Sequence, residues 1–449
     1  MTITFEDIQR AAKAIAGKVP HTPLVRASTL SARIGANVML KLETLQTTNA
    51  FKVRGALNRL LSLTPDERER GVIALSAGNH AQAVAYHATE LDISATIVMP
   101  ETTPWTKVER TRHFGATVEL AGETLAEARD HLNRLIEERG MVLVHPYNDP
   151  LVMAGQGTIA LEMLADAPDL DTLVIPIGGG GLISGMAVAA RHIKPEIEII
   201  GVELERYPSM HAAINDTGAK SSGSTLAEGI AVRDVSELAV ELCRHIVDDI
   251  VLVDEAAVEK AVATLLSQEK LLAEGAGAAG VAAMLRDPAR WKGKNVGLVI
   301  CGGNIDQRML ASLIVRELGR DKRVVSLRFR IEDRPGVLGL ISSALGEQKA
   351  NILEVHHQRN FLDVPAKGAV LEITIETRGP DHADEIIAFM RKQPYSATLS
   401  QLDAGEYSPS QHNCLVAHQS CTLNPCTDRG EWTDLRITVP TPNQTQGQP

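Results

Sequence analysis

Four short stretches carry residue types able to do chemistry together. In Thr48-Asn49-Ala50-Phe51-Lys52-Val53-Arg54-Gly55, a lysine follows an aromatic residue and precedes a helical run over 53–63, with Asn49 the expected cap. A side chain fixed near a helix start has little freedom, and the ring of Phe51 keeps one side of it dry. Desolvation lowers a lysine's pKa and leaves more free amine, the form that attacks a carbonyl. Taken alone, a Phe-Lys pair reads as a surface lysine beside a core ring. The other stretches change that balance. Ser76-Ala77-Gly78-Asn79-His80 sits between an expected strand (71–75) and an expected helix (81–91), so its backbone N–H groups gather at a helix start, where a carboxylate is well held. Gly178-Gly179-Gly180-Gly181 follows an apolar strand and precedes a helix from about Leu182. Without Cβ atoms such a turn can wrap N–H groups around a phosphate. Cys301-Gly302-Gly303-Asn304 ends another strand, the end at which open α/β sheets bind ligands.

Two other features point to chemistry less strongly. Gly275-Ala276-Gly277-Ala278-Ala279-Gly280 has the dinucleotide spacing G-x-G-x-x-G, but it follows an expected helix (256–272) rather than a strand. Close helix packing or a bend is the better reading, and a nicotinamide oxidoreductase rests on nothing else. Glu274, just before it, is a carboxylate that can face the site. His356-His357 are neighbours on an expected strand and point to opposite faces, which makes a poor pair of metal ligands.

The elements that must position these residues alternate strand and helix up to about residue 320. That pattern predicts an α/β fold with parallel sheets and crossover helices. From Arg323 the style changes to β-α-β-β-α-β: strands at 324–330, 351–359, 368–376 and 395–400, with helices from Asp333 and at 380–392. This is a ferredoxin-like order. Residues 403–449 are polar and rich in proline and asparagine, a composition expected to be disordered.

The 449 residues are 44% hydrophobic and 22% charged, as in an ordinary globular protein. A net charge of -11 without a basic stripe argues against a nucleic-acid partner. No apolar run approaches a membrane span, and the N-terminus lacks a basic flank before an apolar stretch, so neither membrane nor export is expected. Five cysteines without C-x2-C spacing indicate no zinc and suit a reducing cytoplasm.

Lys52 with its flanking residues, the Ser76–His80 stretch, the four glycines and Cys301–Asn304 stand in the order seen in fold-type II pyridoxal-phosphate enzymes. Over about residues 5–400 the chain resembles the threonine dehydratases (threonine ammonia-lyases) that carry one C-terminal ACT domain. The resemblance implies a catalytic domain over 1–320 with a smaller subdomain at about 46–150, and an ACT domain over 324–400. It implies pyridoxal 5'-phosphate held by Lys52 as a Schiff base, with Phe51 beside the ring and Gly178, Gly179, Gly180, Gly181 and Leu182 at the phosphate. Asn79 would meet the ring hydroxyl and Cys301 the pyridine nitrogen. Ser76, Ala77, Gly78, Asn79 and His80 would bind the substrate, with Glu274 behind them. L-Threonine or L-serine would lose water and ammonia, giving 2-oxobutanoate or pyruvate. Serine racemase shares this scaffold, but racemases place a serine where this chain has Ala77. Glu203 matches one ligand of the racemase metal site, whereas Tyr207 and Ser209 depart from it, so no metal is expected. A catalytically dead ligand sensor is the reading from another class. An ACT domain further implies an amino-acid effector, isoleucine or valine in biosynthetic relatives, and a homotetramer or homodimer.

Overall fold

The computed structural model describes residues 3–359, 367–393 and 396–400; the stretch read as a tail at 403–449 lies outside them. The chain divides into two compact units, Met1–Met309 and Leu310–Pro449.

The first unit is built on two sheets. The larger has the order Leu24–Arg26, Asn37–Leu42, Asn295–Ile300, Thr172–Pro176, Glu198–Leu204, Asp249–Val253. Its first pair is antiparallel and every other pair is parallel. The smaller sheet is wholly parallel, in the order Thr117–Leu120, Ala95–Met99, Val72–Leu75, Val142–Leu143. Strands such as Ala95–Met99 and Thr172–Pro176 are buried along their whole length, because crossover helices cover both faces. The parallel register has a direct consequence. The three adjacent strands that end at Leu42, Ile300 and Pro176 finish on the same edge. They deliver Glu43, Cys301 and the glycine loop to one side of the sheet.

The second unit has the antiparallel order Asn351–Gln358, Gly368–Glu376, Val324–Glu332, Ser396–Ser400, with helices Val337–Glu347 and Pro380–Arg391. Val324–Glu332 alternates between buried and more open positions. Its inward residues Leu327, Phe329 and Ile331 form a core with Ile341, Leu371 and Ile386.

Three elements differ from expectation. The lysine-bearing helix spans Lys52–Leu61, so the lysine is its first residue, and no side chain caps it. Asn49 has φ 56, and its carbonyl accepts the Gly303 N–H at 2.9 Å. A tertiary bridge therefore uses this asparagine in the left-handed conformation it tolerates, in place of a local cap. The second helix spans Asn79–Glu90 and takes in Asn79 and His80. The helix expected over 256–272 is Glu255–Thr264 followed by a π-helical turn, Leu265–Glu269, and the glycine-spaced stretch opens a new helix, Gly275–Arg286.

Candidate active site

Lys52 is placed by two independent contacts. The Phe51 N–H donates to the Cys301 carbonyl at 3.0 Å, tying the helix start to the end of the Asn295–Ile300 strand. The lysine Nζ donates to the Pro146 carbonyl at 2.8 Å and stands 5.1 Å from the centroid of the Phe51 ring. Burial pushes its pKa from 10.5 down to about 8, against an upward pull from Cys301 and Glu274. The Pro146 carbonyl is held in turn by His145, whose Nδ1 accepts the N–H groups of Tyr147 and Asn148 at 3.3 and 2.8 Å. Burial first, then the nearby Lys52, pushes His145 down to about 4. This imidazole is a neutral turn-former, not a base.

Asn79 sits in a fixed network. Its amide N–H donates to Glu274 Oε1 at 2.7 Å, and its Oδ1 accepts from Asn304 Nδ2 at 2.7 Å. Asn304 also donates to the Thr48 carbonyl at 2.8 Å, and the Glu274 N–H donates to the Gly302 carbonyl at 3.0 Å. The amide of Asn79 therefore has one defined orientation, with one N–H left over. Burial pushes the Glu274 carboxyl up, and the Asn79 N–H partly offsets it. Cys301 is a buried free cysteine whose thiol burial pushes far up, so it remains protonated and is no thiolate nucleophile.

The glycine loop leads into the helix Gly181–Ile193, which no side chain caps, and Leu182 is buried in its first turn. Gly180 has φ +95, and a Cβ there would stand 2.4 Å from Ala239 Cβ. A Cβ on Gly179 would stand 2.3 Å from the ring of Tyr147, whose hydroxyl donates to the Asp234 carbonyl at 2.8 Å. Any other residue at these positions would collide with Ala239 or Tyr147 and shift the loop backbone. The uncapped helix start supplies N–H groups and the positive end of a dipole to an anion.

The Ser76–His80 stretch is only partly as expected. The Gly78 N–H donates to Ser76 Oγ at 3.2 Å, and a Cβ on Gly78 would meet nothing within 4 Å, so a ligand can approach the backbone here. Ala77 packs its methyl against the core of the smaller sheet. His80 stands apart. Its ring is buried, Nε2–H donates to the Val144 carbonyl at 2.7 Å, and burial pushes it down to about 3. Its Nδ1 is buried without a partner, and its backbone N–H stands in the first turn of the helix. Glu203 is also engaged: its two oxygens accept the N–H groups of Met210 and His211, each at 2.8 Å. Ser209 donates to the Val232 carbonyl at 2.6 Å, and the described residues hold no metal-binding cluster of three or more.

Sequence reasoning missed the His145–Tyr147 turn and a buried ionic quartet. Arg54, two residues beyond Lys52, is bidentate to Glu43 (both contacts 2.8 Å) and to Glu162 (2.6 and 2.8 Å). Lys41 pairs with Glu162 at 2.6 Å, and Thr22 donates to Glu43 at 2.6 Å. Two cations and two anions cancel, which is how such a set is tolerated in the interior. Arg54 and Glu162 are 108 positions apart, so no local pattern could announce the pair.

Comparison with known proteins agrees with this geometry. A profile of the family described as "Pyridoxal-phosphate dependent enzyme" matches residues 15–302. A Thermotoga maritima protein named L-threonine ammonia-lyase is 45% identical over 399 residues, 88% of this chain and 99% of that one. Among solved structures, maize serine racemase superposes with TM-score 0.67 at 33% identity, covering 71% of this chain and 99% of that one. Threonine deaminase isoform 2 of Solanum lycopersicum gives TM-score 0.66 at 34% identity, covering 70% of this chain and 89% of that one. The residues present fit the cofactor at both ends. A desolvated amine suits its aldehyde, and an uncapped helix start behind a loop that admits no Cβ suits its phosphate. With one parallel and one mostly parallel α/β sheet, this lysine and this glycine loop, the chain belongs to the pyridoxal-phosphate-dependent enzyme family.

Proposed function

We propose that the protein is an L-threonine ammonia-lyase, which removes water and then ammonia from L-threonine, and from L-serine, to leave 2-oxobutanoate or pyruvate. The observation that carries this reading is Lys52, a buried amine whose pKa is pushed down to about 8, at the start of its helix. The Thermotoga maritima protein named for this activity supports it, with 45% identity over 99% of its length.

Bound pyridoxal phosphate supplies an electron sink that acidifies the substrate Cα–H. Lys52 would hold the cofactor. Its free amine would take the substrate Cα proton as general base, from a position set by the Pro146 carbonyl. The Ser76 hydroxyl and the N–H groups at the start of Asn79–Glu90 hold the substrate carboxylate. Asn79 is assigned to the ring hydroxyl through its remaining N–H. Cys301, neutral and protonated, is assigned to the ring nitrogen; it cannot protonate that nitrogen as an aspartate would, which suits elimination over transamination.

Serine racemisation is the second reading, favoured by the likeness to maize serine racemase. Ala77 argues against it, because a methyl group cannot return a proton from the opposite face. The second unit is assigned to an ACT domain over 324–400, following the catalytic domain over 1–320. It would take isoleucine or valine as effector and pair across subunits of a homodimer or homotetramer. Its antiparallel βαββαβ arrangement supports that assignment. Among the described residues no helix is long and apolar enough to cross a membrane, and we place the enzyme in the cytoplasm.

The test is ketoacid formation from L-threonine and L-serine, with chiral analysis of the remaining serine. Rapid 2-oxobutanoate with little D-serine is expected, and Lys52→Ala should abolish ketoacid production. D-serine accumulating ahead of ketoacid would establish the racemase. Near-normal turnover by Lys52→Ala would remove the lysine from the mechanism.

A further inference from the structure

Between the lysine and the glycine loop runs one continuous stretch that touches both, the turn at 145–149 and the helix Pro150–Asp166. Its contacts alternate. Pro146 meets the Lys52 amine, and Tyr147 lies against Gly179. One turn into the helix the alternation repeats in the backbone. A Cβ on Gly155 would stand 2.6 Å from Gly55 Cα and 2.7 Å from the Arg54 carbonyl oxygen, on the helix that Lys52 begins. A Cβ on Gly157 would stand 2.7 Å from the Gly185 carbonyl oxygen, on the helix that the glycine loop begins. Gly185 meets it from the other side, its own Cβ position lying 2.1 Å from the Met153 carbonyl oxygen. Neither Gly155 nor Gly157 has a positive φ, so neither is required by its own backbone conformation. Alanine is about 1 kcal/mol the better residue inside a helix. Glycine at both places is explained by backbone-to-backbone contact.

We propose that Gly155 and Gly157 are positioning residues that set the separation between the Lys52 amine and the 178–181 loop, matching it to the two ends of one pyridoxal-phosphate molecule. The inference rests on the cofactor assignment above. Backbone contact suits this task because it leaves no rotamer to relax. The Lys52 helix is also fastened to the same crossing helix by Asn58, whose amide donates to the Leu151 carbonyl at 2.7 Å, and by the Gly55 N–H to Gln156 Oε1 at 3.3 Å. A ligand attached at two points gains affinity only while the points stay at its own span.

The test compares three probes on the full-length chain stripped of cofactor. Pyridoxal engages the lysine end alone, inorganic phosphate engages the loop alone, and pyridoxal phosphate engages both. For Gly157→Ala the advantage of pyridoxal phosphate over pyridoxal should fall at least about tenfold, since that advantage is the linkage gain. The affinities for pyridoxal and for phosphate should each hold within about twofold. Gly155→Ala should behave alike. Should either glycine variant fail to fold, Asn58→Ala removes a fastening without adding bulk and should lower the same ratio by about threefold. The Schiff-base absorbance with pyridoxal confirms in each case that the lysine end is intact. An unchanged ratio in the folded variants would overturn the proposal. So would equal losses for all three probes, which would mean general loosening.

Discussion

Two glycine-rich stretches of this chain look interchangeable in one dimension and do opposite things in three. Gly178–Gly181 lies between a strand and an uncapped helix start, and its glycines let the loop backbone sit close against Gly229, Tyr147 and Ala239. Gly275–Gly280 lies within a helix, and its glycines let that helix touch what it packs on. A Cβ on Gly277 would stand 2.5 Å from the Gly302 carbonyl oxygen, and one on Gly280 would stand 2.7 Å from Leu298 Cδ2. The first set leads into a helix start whose N–H groups no side chain caps, and the second lies inside a helix and lets it approach Gly302 and Leu298. Spacing does not tell them apart, whereas the element before each does.

The contrast can be broken at four points. Gly180→Ala should have the largest effect. A non-glycine residue in this left-handed conformation and the collision with Ala239 together cost about 3 kcal/mol. The loop relieves that cost by shifting its backbone off the anion, so cofactor affinity by equilibrium titration should fall by up to roughly a hundredfold. If cofactor binding survives at wild-type strength, the 178–181 loop is not the cradle. Next comes pH. The lysine end titrates, and with a pKa near about 8 its amine is cationic below that value and free above it. The rate of pyridoxal capture by the stripped chain should therefore rise about tenfold between about pH 7 and 9. A midpoint near that of an ordinary lysine would mean that Lys52 is not desolvated.

Gly277→Ala should act mainly on stability. Overpacking of about 2–3 kcal/mol against the Gly302 carbonyl is offset by about 1 kcal/mol of helix propensity, leaving a net loss of about 1–2 kcal/mol in urea unfolding. Cofactor affinity should change far less than in Gly180→Ala, and an equal loss would erase the distinction between the two stretches. Gly280→Ala should be the mildest, within about 0.5 kcal/mol in the same unfolding experiment. The atom its Cβ meets is the far end of a leucine side chain, which can turn aside. A loss as large as that at Gly277 would show that Leu298 has nowhere to go.

Much of the site was legible because its pieces are local. A lysine at a helix start, an Asn-bearing turn between strand and helix, a run of glycines after a strand and a cysteine at a strand end are each written within a few residues. The alternation of apolar strands and amphipathic helices announced the parallel architecture for the same reason, since period and order are properties of short windows. Asn49 shows where local reading fails. Its type suggested a cap, yet a partner more than two hundred positions away claimed its carbonyl. His80 shows the same limit, because the sequence could not say that its ring would turn to the Val144 carbonyl.

The sequence by itself determined which chemical groups were available and in which elements they would stand, because side-chain type and hydrophobic period act over a few residues. Only the tertiary structure decided how those groups meet. It brought Arg54 to Glu162 and Glu43, fixed the amide of Asn79 between Glu274 and Asn304, and set the Lys52 amine on the Pro146 carbonyl. All of these contacts except Arg54–Glu43 join segments far apart in the chain. Each exists only because burial removes water as the competing partner, and so makes a specific hydrogen bond the remaining way to satisfy a polar group.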